Sequence, residues 1–145
     1  ILKNISFYKN NNLLYTIRFI AVQYLYLINV RGKNIIIKSI LSTLNDNTNI
    51  YIKKQINKEI LSILMMNIKY YYSIIDNIIS SNLCNNCKIC KLPKLILIIL
   101  RLAYFELFLF NYTNKSTIIN DYIQIAKSFN FYKETSFINS ILDKL

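Results

Sequence analysis

One glycine and one proline in 145 residues constrain this chain more than any other feature. Tight turns between strands draw heavily on both residues, so a sheet-rich fold would use more of them. What the chain has instead is apolar residues recurring at spacings of three and four over long runs, the pattern of helices with one buried face. An all-α fold is expected. Ile and Tyr favour strands by propensity, but their abundance here has another source. Ile (29), Asn (20), Lys (15), Tyr (12) and Phe (8) make up 84 of the residues, and all five have codons rich in A and T. The composition points to an AT-rich genome, which weakens any argument from abundance alone.

Along the chain, residues 10–12 form a polar break before a first helix over 13–29. Leu14, Ile17, Ala21, Leu25 and Ile28 mark its buried face, with Tyr15, Arg18, Val22 and Tyr26 on the adjacent stripe. Arg31-Gly32-Lys33 is the one glycine-marked turn. A second helix is expected over 35–44 and a loop over 45–49, "NDNTN". Residues 50–80 contain no breaker and read as one long helix or two nearly continuous ones. Ile56, Ile60, Ile63 and Leu64 give one apolar side, and Ile74, Ile75, Ile78 and Ile79 another. A connector over 81–93 holds all three cysteines and the proline. Helices follow over 94–110, 117–129 and 135–145, the last with Phe137, Ile138, Ile141, Leu142 and Leu145 inward. The length suits one domain or two small helical subdomains sharing a core, with 1–66 and 67–145 as the expected halves.

The stretch "ILRLAYFELFLF", residues 99–110, tests the alternatives of membrane span and core helix. A span needs about 20 apolar residues. Residues 95–110 offer sixteen, interrupted by Arg101 and Glu106, and a central Arg alone costs about 2.5–3.5 kcal/mol on insertion scales. A buried core helix is expected, with Ile96, Ile99, Leu100, Ala103 and Leu107 as its stripe. Arg101 and Glu106 lie off that stripe, where they reach solvent or a partner. At the N-terminus, Asn and Lys stand where a signal peptide would have its apolar core. The first residue is Ile rather than Met, so a trimmed or misassigned start is expected.

The net charge is +11, with only seven acids. Such a surface fits nucleic acid or an anionic membrane; the plainer reading makes Lys the default polar residue of this genome. Catalysis is poorly provided for. There is no His, so the usual triads and His-based acid/base pairs are excluded. The acids are scattered without a close pair, and there is no phosphate-binding glycine loop. No enzymatic activity and no cofactor are expected. "CNNCKIC" places Cys84, Cys87 and Cys90 in two CxxC steps, the spacing of thiolate metal ligands. It resembles the first three cysteines of a bacterial ferredoxin run, whose fourth position here holds Lys94. No His is available to complete a zinc site, so the three are weak metal candidates beside the plain reading of a variable loop. An odd number of cysteines argues against a disulfide framework. Lys69-Tyr70-Tyr71-Tyr72 interleaves base-stacking rings with charge, or is an ordinary half-exposed helix face.

Five segments, in order, resemble one family. "RFIAVQYLY" (18–26) resembles the opening helix of the NusB transcription antitermination family, roughly R-x-x-A-x-Q-x-L-Y. "IID" (74–76) and "KLPK" (91–94) resemble its middle helix and connector. "ILRLAYFEL" (99–107) is similar to its I-L-R-x-A-x-Y-E-L helix. "INDYIQIAKSF" (119–129) and "FINSILDKL" (137–145) look like I-N-E-A-x-E-L-A-K-x-F and F-V-N-G-V-L-D-K. The likeness covers most of the chain from Arg18 onward, with little in 27–55.

That resemblance implies an all-α protein of about seven helices in two packed helical-bundle subdomains, without enzymatic activity. It implies pairing with NusE, a small-subunit ribosomal protein, on single-stranded boxA-type RNA. The pair would help the RNA polymerase elongation complex through terminators, chiefly in rRNA operons. A homodimer is the expected free form, and no membrane is involved. The compartment implied is the cytoplasm, or the plastid stroma for an organellar gene. Matched to RNA-holding positions are Arg18, Gln23, Lys127, Phe129, Phe137 and Asn139; Tyr26 and Arg101 match the NusE-facing side. Alternatives remain open at each: Phe129 and Phe137 as core, Asn139 as a cap or bridge between helices, Arg101 paired with an acid. Where the family opens on an arginine cluster, this chain has "LLYTIR". Lys3 and Lys9 lie upstream as substitutes, and Lys9 joins the RNA-binding set, although Lys lacks the bidentate fork of Arg. Ile96 and Lys133 stand where acids are common. Asn130 replaces a Gly after "AKSF", as the next-best residue for a left-handed C-cap; Ser140 replaces another. Three rivals follow: the N-terminal RNA-binding domain of an Fmu-type rRNA cytosine methyltransferase, a basic peripheral membrane-binding helical protein, and a thiolate metal module.

Overall fold

The computed structural model describes residues 11–31, 58–85, 87–109 and 113–144, and every regular element among these is helical. The backbone divides into two compact units, Ile1–Met66 and Asn67–Leu145.

In the first unit, helix α1 spans Asn11–Arg31, so Asn11 and Asn12 join the helix rather than breaking the chain before it. Its predicted stripe is buried at Leu14, Ile17, Ala21 and Leu25, while Ile28 is half-buried. Burial extends further round the helix, to Leu13, Arg18, Ile20 and Val22. A short helix α2, Lys58–Ser62, packs on α1, with Ile20 set against Tyr24, Leu27, Ile28 and Leu61. The expected helix over 35–44 and the loop over 45–49 lie outside the described residues.

From α2 the helical path runs on without a break through a π-turn, Ile63–Asn67, into helix α3, Ile68–Asn82. The breaker-free run is therefore one continuous helical path from Lys58. The π-turn accounts for its apolar spacing. Ile60, Leu64 and Ile68 are all buried, and a run of fours drifts round an α-helix unless one wider turn resets it. Within α3, Ile68, Ile75 and Ile79 are buried. Ile74, expected with them, points outward at 60 % exposure.

The second unit is built around helix α4, Lys94–Leu109, which packs on α3, on helix α5 (Lys115–Ser128) and on helix α6 (Thr135–Asp143). Ten of its sixteen residues are buried. A helix apolar nearly all round belongs in a core, and that is where "ILRLAYFELFLF" goes. Its stripe is wider than predicted, because neighbours cover it on several sides; Leu107 is only half-buried. In α6, Ile138, Ile141 and Leu142 face inward as expected, while Phe137 is half-buried. The ends of three elements are laced together. Asn82 Nδ2 donates to Tyr104 Oη at 3.2 Å, Tyr104 Oη donates to the Ile141 carbonyl at 3.3 Å, and Lys144 Nζ reaches the Asn82 carbonyl at 2.8 Å. That last contact places a cation on the electronegative C-terminal end of α3.

Candidate nucleic-acid interface

Lys127, Phe129, Phe137 and Asn139, singled out from the sequence, lie at the end of α5 and on α6, two helices that pack together. The shape of the corner between them comes from the backbone. Asn130 has φ 65, the left-handed region. The Asn130 N–H donates to the Lys127 carbonyl at 2.9 Å and the Phe131 N–H to the Ala126 carbonyl at 3.0 Å. These two bonds close a Schellman cap on the last carbonyls of α5, and the Ser128 hydroxyl donates to the Ile125 carbonyl at 2.6 Å. Lys127 stands in the final turn of α5, where a cation complements the helix dipole. Phe129 is the C-cap residue, half-buried, and Phe137 lies in the first turn of α6, also half-buried. Neither residue is wholly core. Asn139 is half-buried and donates Nδ2 to Asp143 Oδ2 at 2.7 Å, one turn on. It forms a local bridge within α6, and a base edge would have to compete with that carboxylate for its amide.

The residues on α1 behave differently. Arg18 is 1 % exposed. A buried guanidinium is costly unless partnered, and Arg18 is engaged rather than free; it presents no surface for a phosphate. Gln23 is half-buried and Tyr26 is exposed; three residues apart, they neighbour each other on the helix surface. Lys9 lies outside the described residues.

Arg101 makes the best-formed polar contact. Its Nε donates to Asp76 Oδ1 at 2.8 Å and its Nη2 to Asp76 Oδ2 at 2.7 Å, a two-pronged fork joining α4 to α3. The guanidinium also lies 4.2 Å from the Tyr72 ring centroid, within cation–π range. Burial pushes the Tyr72 hydroxyl above its ordinary value, against the lowering effect of Arg101. The alternative reading of Arg101, paired with an acid, matches this geometry. Sequence analysis missed that Tyr72 and Asp76, four apart on α3, form the receiving pair. Their i, i+4 spacing was visible; that they face position 101 was not.

Glu106 corrects an expectation. It is fully buried and accepts a hydrogen bond from Tyr122 Oη of α5 at 2.5 Å, so it reaches neither solvent nor a partner. Off-stripe residues on a helix covered from several sides still meet protein. In the Lys69–Tyr72 run, Tyr70 is 83 % exposed, Tyr71 packs its ring 5.5 Å from that of Phe105, and Tyr72 sits under Arg101. The three cysteines are free thiols and exposed. Among the described residues no group of three or more potential ligands converges to hold a metal ion.

One described helix is long and apolar enough to cross a membrane, over Leu13–Val30 with mean hydropathy 1.4, half of it buried within the protein. A core helix passes the same test, and this one carries Arg18 inside it.

Helical throughout its described residues and carrying a net charge of +11, the chain falls in the class of small basic helical proteins. The chain belongs to the NusB family, whose sequence model matches residues 16–145, nearly its whole length. That family is one of RNA-binding, antitermination-type factors. No curated protein matches the chain.

Proposed function

We propose that the chain is a non-enzymatic RNA-binding transcription factor that pairs with NusE on boxA-type single-stranded RNA and supports rRNA-operon transcription by the RNA polymerase elongation complex. The observation that carries this reading is the family match over residues 16–145. The NusB-like arrangement of about seven helices in two subdomains, 1–66 and 67–145, belongs to the same proposal, as does residence in the cytoplasm or a plastid stroma.

The α5–α6 corner supports the RNA half. Lys127 neutralises a phosphate, Phe129 and Phe137 offer half-exposed rings for base stacking, and Asn139 offers an amide to a base edge. Gln23 and Lys9 belong to the proposed RNA-binding set through the family resemblance alone. Arg18, 1 % exposed, is not assigned a contact with the strand. On the NusE side, Tyr26 presents an exposed ring, while Arg101 acts by fixing Tyr72 and Asp76 at the α3–α4 surface.

The test is co-purification with the cognate NusE, followed by a mobility shift of boxA-like RNA at increasing salt. Complex formation, with affinity falling steeply as salt rises, is the expected result. A folded chain that ignores both NusE and the RNA would end the proposal. Coding sequence for a methyl-donor domain beyond "LDKL" would move the chain to the methyltransferase-domain reading.

A further inference from the structure

The sequence contains two equal CxxC steps, Cys84–Cys87 and Cys87–Cys90, and spacing does not choose between them. The connector between α3 and α4 does. After α3 the chain extends at Leu83 and then turns, with the Cys87 N–H donating to the Cys84 carbonyl at 2.8 Å. A turn closed by such a bond keeps its end Cα atoms within about 7 Å, close to the roughly 4.4–6.8 Å that a disulfide spans. The neighbouring Cys84 raises the Cys87 thiol above its ordinary value. Cys90 leaves this turn. Lys88 is extended (φ −107, ψ 140), and beyond it Cys90 sits in a separate 3-10 turn, Ile89–Lys91. That turn is fastened by Lys91 N–H to the Lys88 carbonyl at 2.9 Å and Leu92 N–H to the Ile89 carbonyl at 3.2 Å. It packs on α3. All three thiols are exposed, and Lys91 acts on Cys87 as a nearby positive charge, which favours thiolate.

We infer that Cys84 and Cys87 form a reversible disulfide by exchange with a low-molecular-weight disulfide, while Cys90 remains a free thiol. In the first step the Cys84 thiolate attacks one sulfur of the small disulfide. This forms a mixed disulfide and releases one small thiol, which takes up the proton Cys84 gave. In the second, the Cys87 thiolate attacks Cys84 Sγ, closing the protein disulfide and releasing the second small thiol with the proton of Cys87. Two protein thiols are oxidised and one small disulfide is reduced to two thiols. The inference is independent of the RNA-binding reading.

The full chain, equilibrated in buffers of graded glutathione to glutathione disulfide ratio, is alkylated and weighed intact, and its peptides are mapped. The expected result is loss of two of the three alkylatable thiols, loss of two hydrogen atoms, and a linkage between Cys84 and Cys87. Dithiothreitol restores all three thiols. Cys90→Ser behaves like the parent chain. Cys87→Ser, lacking the resolving thiol, accumulates a glutathione adduct on Cys84. In guanidinium, with the turn abolished, the linkage spreads over both CxxC steps. Three alkylatable thiols persisting in oxidising buffer would overturn the inference. So would a Cys87–Cys90 or intermolecular linkage prevailing in the native chain.

Discussion

The α3–α4 interface and the α5–α6 corner lie in one unit and handle polar side chains in opposite ways. Between α3 and α4, side chains satisfy side chains. Arg101 forks onto Asp76 and covers Tyr72, and Asn82 holds the Tyr104 hydroxyl. On its other flank α4 turns Glu106 to Tyr122 of α5. At the α5–α6 corner the backbone satisfies itself through the Schellman cap at Asn130, and Lys127, Phe129 and Phe137 are left half-exposed. The difference separates polar groups locked between helices from side chains that keep part of their surface in solvent. A motif position can be occupied by the right residue and still be engaged inside the molecule, as Arg18 is.

That contrast can be broken experimentally, most sharply in the core. Leu102→Ala in α4 removes a fully buried side chain and is expected to cost about 2–5 kcal/mol, read as a lowered urea midpoint. Loss within a few tenths of a kcal/mol would mean α4 is not the packed centre of its unit. Arg101→Ala leaves Asp76 without its fork and is expected to cost about 1–3 kcal/mol, since hydrogen bonds to charged groups lie at that scale. Because both side chains keep some solvent access, the lower half of that range is expected. Arg101→Lys should recover only part of the loss, a point charge replacing a planar fork.

Next in size is the cap. Asn130→Ala places a β-carbon in left-handed backbone without Asn's local hydrogen bonding, at a cost of about 1 kcal/mol; Asn130→Gly should hold or raise stability. Equal loss in both would show that the residue's side chain, not its φ, matters. The smallest stability effect belongs to Lys127→Ala, expected within about 0.5 kcal/mol of the parent. The same change should weaken boxA-type RNA binding and reduce the salt-dependence slope by about 1. A variant that unfolds, or that binds RNA unchanged, would erase the distinction between the two regions.

Alkaline pH probes the α3–α4 side. The hydroxyls of Tyr72 and Tyr104 both titrate above the ordinary 10.0, chiefly through burial. A folded value above the unfolded one means the native state holds its proton longer. The associated stability is intact below pH 10.0 and is lost as pH climbs through the raised folded values. Urea midpoints followed upward from neutral pH should fall in that window, and Tyr72→Phe should flatten part of the fall. A fall of unchanged size in that variant would locate the titration elsewhere.

Much of this molecule was legible as sequence because helical periodicity is local. The scarcity of Gly and Pro, the runs at spacings of three and four, and the largely apolar stretch at 99–110 each report on local helix. They sufficed for the helical architecture of the described residues and for α4 as a core element; Asn130 as the left-handed cap came from the family resemblance, which has a glycine there. Colinear motifs carried the family. Tertiary structure alone decided which polar groups face one another. The Arg101–Asp76 fork, the Tyr122–Glu106 bond and the Tyr104–Ile141 bond join residues 25, 16 and 37 positions apart. Such pairings depend on how helices rotate against their neighbours, and a charge at the edge of a stripe turns to solvent or to protein according to what covers it. For the same reason two CxxC steps that are equivalent on paper become different once a turn closes over one of them.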